Sequence, residues 1–255
     1  MKRHALLIGN TGGLPGVIVD LENYENFLLS DTGGAWNSSE IEIFENPSSD
    51  DLRIRIDELK NDKRERLDYC FIAYCGHGAQ IGQQVVIEIN SKGDVISAND
   101  LKEIAPRQVN IFDCCRVIQK QKRIIESRVT KSFSREDLSY RQFVRKLYEE
   151  QIMGAVEQNL CLYACSTNES ANDTKQGGLY SYFLISAAKN VVGECKTFAE
   201  CHQEARKNTY DYSVSHKPDT SIQTPTANFP RCFKSQSLIM SINPKFNMDN
   251  DIYWC

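Results

Sequence analysis

The 255-residue chain has no apolar run near the roughly 18 residues of a membrane helix, so no membrane span is expected. It has no Cys-x-x-Cys pair, so no zinc and no other metal or cofactor is expected. The glycine-rich stretch 9–16 lacks the Gly-Lys-Ser/Thr ending of a phosphate cradle, which argues against nucleotide binding there. The formal charge of only −4 gives no overall electrostatic case for nucleic acid. Internal repeats and interdomain linkers are also missing. What remains is enough chain for one substantial core, and a single domain spanning 1–255 is expected.

The N-terminus, Met1 to Ile8, has a basic start and an apolar patch, but the patch breaks at Gly9-Asn10. It therefore reads as a first buried strand rather than a signal peptide. Almost nothing precedes that strand, so no N-terminal prodomain is expected. The ten cysteines are scattered without a framework spacing, and Cys70, Cys161 and Cys165 lie in apolar segments. Without a secretory signal they read as reduced thiols, which points to the cytoplasm.

Along the chain, short β-branched and aromatic runs alternate with helical periodicity. Strands are expected at 4–8, 41–44, 69–74, 109–112, 159–164 and 237–242, with a small hairpin at 85–94. Val17, Leu21, Tyr24 and Leu28 recur at helical spacing, and Ser48 with Asp51 signals a helix start. Further helices are expected at 99–104, 178–188 and 198–210. The charged run 60–66 reads as a solvated helix end. Strands alternating with helices imply an α/β fold, a three-layer α/β/α sandwich with a mostly parallel six-stranded sheet. From 116 to about 152, Lys and Arg greatly outnumber acids and apolar residues are sparse before Phe143, so this basic segment is expected to be a mobile, cleavable loop leading into a helix.

Two stretches carry chemistry. Tyr74-Cys75-Gly76-His77-Gly78 and Asn110-Ile111-Phe112-Asp113-Cys114-Cys115-Arg116 each follow an expected strand. Ligands and chemistry in open parallel sheets gather at the carboxyl ends of strands, so a histidine and a cysteine delivered there suggest a nucleophile pair. Side chains two apart on a strand share a face; Asp113 therefore sides with Cys115, while Cys114 points away as a small buried hydrophobe. Cys115 is the expected nucleophile and His77 its base. Asp20 lies near a helix start, where a carboxylate also serves the dipole. His4, His202 and His216 read as ordinary structural or surface residues.

These motifs resemble those of the caspase-like cysteine proteases, particularly the metacaspase branch and its prokaryotic relatives (peptidase C14 type). The family's Tyr-Ser-Gly-His-Gly is matched at Tyr74 to Gly78, with Cys75 in the serine's place, and its Asp-x-Cys at Asp113 to Cys115. The usual His-Ser-Gly after the cysteine is replaced by Arg116-Val117-Ile118. Leu14-Pro15-Gly16-Val17-Ile18-Val19-Asp20 resembles the family's Leu-x-Gly-Cys-x-Asn-Asp, departing at Val17 and Val19. Weaker echoes are Ser170-Ala171-Asn172-Asp173 and Gln223-Thr224-Pro225.

The resemblance implies an oxyanion hole from the backbone N–H groups of Gly78 and Cys115, and a substrate pocket for Arg or Lys. Asp113 would line that pocket with Asp20, Asp173 and Cys75. Acids in a pocket accept a basic side chain and repel an aspartate. The metacaspase habit of calcium activation through acidic clusters is not expected, since 120–123 is basic, though Asp94 and Asp100 leave the point open. The expected partners are protein or peptide substrates with Arg or Lys before the cut, and an activating protease or regulator. A bacterial defence or cell-death role is a family-level implication. The alternative, supported by the missing His-Ser-Gly, is a catalytically idle caspase-like module that binds a partner. A terminal Tyr253-Trp254-Cys255 is expected to dock on the body.

Overall fold

The computed structural model describes residues 1–62, 66–118 and 138–246. The elements follow in the order β1 (Arg3–Gly9), α1 (Gly16–Leu29), β2 (Ile41–Glu45), α2 (Ser49–Asn61), β3 (Tyr69–Ile81), β4 (Gln84–Glu88), β5 (Val95–Ser97) and β6 (Arg107–Cys114). The second half adds α3 (Leu138–Gly154), β7 (Gln158–Tyr163), β8 (Asp173–Thr174), β9 (Gly177–Gly178), α4 (Leu179–Lys189), β10 (Cys195–Thr197), α5 (Phe198–Ser215), β11 (Thr226–Asn228) and β12 (Ile239–Ile242). The main sheet runs β11-β7-β6-β3-β1-β2, with the β4–β5 hairpin attached to β3. Along this path the strands from β7 to β2 pair in parallel and β11 is antiparallel, as are the attached hairpin strands, so the central sheet is mostly parallel, as expected from the sequence.

Strand alternation divides the core in two. On one face Ala5, Leu7, Phe71, Val109 and Ile111 pack with Val17, Leu21 and Tyr24 of α1 and with residues of α3, α4 and α5. On the other, Leu6, Ile8, Ile72, Tyr74 and Phe112 pack against Leu52 and Ile56 of α2 and against the hairpin strands. Near-continuous apolar strands covered on both faces are what a parallel sheet requires, because crossover helices occupy each side. Local signals start the helices as expected. Ser48 accepts a hydrogen bond from Asp51 N at 3.1 Å at the start of α2, and Thr197 with Glu200 forms a capping box on α5.

Several expectations are corrected. The strand near 237–242 forms, as β12, but pairs antiparallel with β10 in a separate ribbon; the sixth strand of the main sheet is β11. Residues 99–104 form turns, not a helix, because Gln108 accepts from Ile104 N and Ala105 N, binding those amides to a side chain. Much of the basic segment is anchored. Arg141 donates to Leu29 O and Trp36 O, Arg145 pairs with Glu40, and Val144, Tyr148 and Ile152 of α3 are fully buried. Residues 119–137 of that segment, the centre of the 60–66 run and the terminal Tyr253-Trp254-Cys255 lie outside the described residues. No helix among the described residues is long and apolar enough to cross a membrane.

Strand order reverses at β1: the chain goes from β1 outward to β2, then back across to β3, β6 and β7. At such a point the loops leaving neighbouring strands diverge and open a crevice at their carboxyl ends.

Candidate active site

The main sheet delivers two chemical arms to that crevice. β3 and β6 run parallel with Cys75 opposite Asp113 and Gly76 opposite Cys114. One residue further, the two chains carry His77 and Cys115. Adjacent strands are about 4.8 Å apart, so this register brings the two residues out at the same end of neighbouring strands.

At Gly76 the chain turns with φ 151°, and a Cβ there would lie 2.7 Å from the Tyr74 hydroxyl and 2.9 Å from Asn10 Cβ. Only glycine fits. The Tyr74 hydroxyl, buried in the second core cluster, lies 2.6 Å from both His77 O and Glu88 O and shares its proton between these carbonyls.

His77 is half-buried, and its Nε2 lies 2.6 Å from Gly12 O. A carbonyl only accepts, so Nε2 carries the hydrogen, and Nδ1 of the neutral ring is left as the proton acceptor. Cys115 is partly exposed with Sγ 3.9 Å from Ala171 O, whereas Cys114 is 1% exposed and belongs to the opposite core cluster. Burial holds the Cys114 thiol well above its ordinary range. A Cβ at Gly78 would lie 2.6 Å from Cys114 Sγ and 3.0 Å from Cys115 O, so this glycine passes directly against the Cys114-Cys115 pair.

The loop after Cys115 is pinned at several points. Arg116 N donates to Glu169 O, Arg116 O accepts from Asn168 N, and the guanidinium donates to Gln80 Oε1, Cys165 O and Thr226 Oγ1. Gln80 also pairs with Ile118 as an isolated bridge, tying the two arms together beyond His77 and Cys115.

The expected acids gather on the other side of Cys115. Asp20 and Asp113 are 2% and 5% exposed. Asp20 lies one turn too deep in α1 to serve that helix's own start; both its oxygens accept from Gly178 N at 2.9 Å. Asp113 accepts from Ser181 N at 2.9 Å. The N-terminal end of α4 thus points its unpaired amides at both carboxylates. Asp173 is exposed on β8, accepts from Gly16 N at 3.2 Å and does not cap a helix.

Burial, with the charge of Asp113 second, pushes the Asp20 carboxyl well above its ordinary range. Burial also pushes Asp113 up to about 6, against the opposing hydrogen bonds from Ser181. Cys75 is buried between them, its thiol raised by desolvation and then by the charges of Asp20 and Asp113. Gly177 and Gly178 press on this cluster: a Cβ at Gly177 would lie 2.2 Å from Asp20 Oδ1, and one at Gly178 2.5 Å from Asp113 Oδ2. All four residues assigned to a substrate pocket are therefore brought together. Two buried carboxyls sharing a thiol and no described cation form an environment that favours an incoming positive charge.

A family model described as the caspase domain matches residues 2–234. The chain belongs to the caspase-domain peptidase family. No curated protein sequence matches this caspase-family chain. Among solved structures, caspase-1 from Spodoptera frugiperda aligns over 89% of this chain and 86% of its own, with a TM-score of 0.58 at 13% identity. At that identity the likeness establishes the fold, and the α/β reading of the sequence stands. A caspase-family domain marks the chain as a cysteine-peptidase type of hydrolase.

Four contributors escaped the sequence reading of this caspase-family site: the carbonyl of Gly12, the hydroxyl of Tyr74, the amides of Gly178 and Ser181, and the guanidinium of Arg116. The first and third are backbone groups, which leave no side-chain signal. Tyr74 could have been found, since a buried tyrosine must place its hydroxyl and here it closes the apolar run 69–74 just before His77. The other histidines are occupied elsewhere. His4 pairs with Glu42, His202 hydrogen-bonds the Tyr180 hydroxyl with its pKa lowered by burial to about 4, and His216 stacks on Tyr212.

Proposed function

We propose that this single domain is a cytoplasmic cysteine endopeptidase that cleaves proteins after Arg or Lys with a His77/Cys115 dyad. The observation that supports the proposal is the β3–β6 register, which pairs Gly76 with Cys114 immediately before His77 and Cys115, while Gly12 O accepts from His77 Nε2 and so favours the tautomer a base needs.

The chemistry follows from these groups. Nδ1 of His77 takes the Cys115 proton, and the thiolate adds to the substrate's carbonyl carbon. The oxyanion accepts from the backbone N–H groups of Gly78 and Cys115. His77 returns its proton to the departing amine, leaving a thioester. Water, deprotonated by His77, then attacks the thioester; the acid product leaves and the thiol is restored.

Substrate choice rests on Asp20, Asp113 and Asp173 with Cys75. The cluster holds carboxyls whose pKa values are raised, so a bound guanidinium stabilises their ionised forms and releases protons on binding. A substrate aspartate would add a further negative charge to the same desolvated site. Gly177 and Gly178 lie over the acids, so admitting a long basic side chain requires that corner to move. Control of the enzyme is assigned to that movement, set off by a cut within residues 119–137 or by an activator. Lys120, Lys122, Arg123, Arg128, Lys131 and Arg135 there match the proposed specificity. A place in a prokaryotic defence or cell-death pathway would suit such control.

The test is a panel of fluorogenic peptides that differ only in the residue before the cut. Arg and Lys should exceed Asp in kcat/KM by at least about a hundredfold, a few kcal/mol of discrimination at a buried charged pocket. Equal turnover of all peptides, or turnover that survives Cys115→Ala, would sink the assignment.

A further inference from the structure

A cavity of about 600 Å³ opens on the Cys114 side of the sheet, away from the acid cluster. Its lining includes Lys102, Arg116, Tyr163, Thr226, Asn228 and Asn99. Lys102 and Arg116 are its only charged residues, and no carboxylate among the described residues lines it. The Arg116 guanidinium is held by neutral acceptors only: Gln80 Oε1 at 3.0 and 3.2 Å, Cys165 O at 3.2 Å and Thr226 Oγ1 at 3.3 Å. It also lies 4.6 Å from the Tyr163 ring centroid. Such partners orient a guanidinium without cancelling its charge. Lys102, the other cation of the lining, lies close to the Cys161 thiol. The one acid in the adjoining loop 166–172, Glu169, is already bound by Ser166 N, Thr224 N and the Thr224 hydroxyl.

We propose that this cavity binds a phosphate-bearing small molecule, with its oxyanion between Lys102 and Arg116. Two cations with hydroxyl and amide donors around them suit an anion that carries several oxygens and more than one charge. The volume is that of a small-molecule site and far exceeds a single ion. The ring of Tyr163, stacked on Phe112 with centroids 5.5 Å apart and lying under the Arg116 guanidinium, fixes that cation at the cavity wall. Location gives the site a consequence. Arg116 directly follows Cys115, and Gln80, its main partner, lies three residues beyond His77. An anion that draws the guanidinium toward itself changes what holds both arms of the crevice.

The test is calorimetric titration of the full chain carrying Cys115→Ala with inorganic pyrophosphate, at ionic strength held constant with sodium chloride. Turnover is not needed, so failure here and failure of the peptidase assignment are told apart. The expected result is saturable one-to-one binding that weakens about tenfold or more in Lys102→Gln, the scale of one lost charge-assisted contact. Asn228→Asp, an exposed position on β11 that would add a negative charge to the wall, should weaken it similarly. Asp173→Asn, on the acid side of the sheet, should leave it unchanged. ATP binding tighter than pyrophosphate would extend the assignment to a nucleotide filling the remaining volume. Absence of saturable binding, an equal affinity in Lys102→Gln, or citrate binding as tightly as pyrophosphate would overturn it.

Discussion

Asp113 is a carboxyl that the fold buries at a cost, and Asp113→Asn measures that cost. The substitution keeps an oxygen to accept from Ser181 N and removes the ionisation. In the folded protein the carboxyl is pushed up to about 6 from an ordinary 3.8. Between those values the folded protein holds a proton that the unfolded chain has shed. The resulting stability is fully present below the unfolded pKa and is lost as pH rises through the folded one. A shift of this size corresponds to about 3 kcal/mol in total, of which about 1.4 kcal/mol is lost between pH 5 and pH 8.

The wild type should therefore lose about 1.4 kcal/mol more than Asp113→Asn over that interval, measured by urea unfolding at each pH. Asp20 works in the same direction. Its raised pKa owes part of its shift to Asp113, so removing that charge lowers it and flattens the variant's profile further. A carboxamide left without an acceptor would cost about 1–2 kcal/mol, but equally at both pH values, so the difference between the profiles is unaffected. Parallel profiles for the two proteins would show that Asp113 ionises freely in the fold. The electrostatic basis for a cation-seeking pocket would go with it.

Cys115→Ala should lower peptidase activity by at least about a thousandfold, whereas Cys114→Ala should keep most of it; equal losses would overturn the assignment of faces along β6. Gly76→Ala should cost about 1–3 kcal/mol in urea unfolding, from the collision with the Tyr74 hydroxyl and the unfavourable φ, and an unchanged midpoint would refute that geometry. Replacing Lys120, Lys122, Arg123, Arg128, Lys131 and Arg135 together with Gln should give a chain that resists cutting and stays at the activity of the unprocessed protein. A variant as active as processed wild type would end the idea of activation by cleavage.

The sequence alone was enough for the five parallel strands of the main sheet and the α/β fold class. Short β-branched runs such as 69–74 and 109–112 state their own burial. The two-residue period of a strand then separates Cys115 and Asp113 from Cys114, and in the structure Cys114 is buried in the second core cluster while Cys115 is partly exposed. Partner choice was not legible, because it depends on contacts between residues far apart in the chain. The apolar run ending at Ile242 reads equally well as a strand of the main sheet or of the small ribbon with β10, and only packing selects the ribbon.

The acids show the same division. Asp20 looks like a helix-start carboxylate until α4, 158 residues away, aims Gly178 N at it. The end of the basic segment likewise reads as part of a mobile stretch until Arg141 and Arg145 meet carbonyls and a carboxylate more than 100 residues distant. Periodicity records how much of a side chain is buried, since that follows from the local backbone and composition. Which backbone amide or carbonyl meets it is set by how the elements stack, and backbone groups are alike at every position of the sequence.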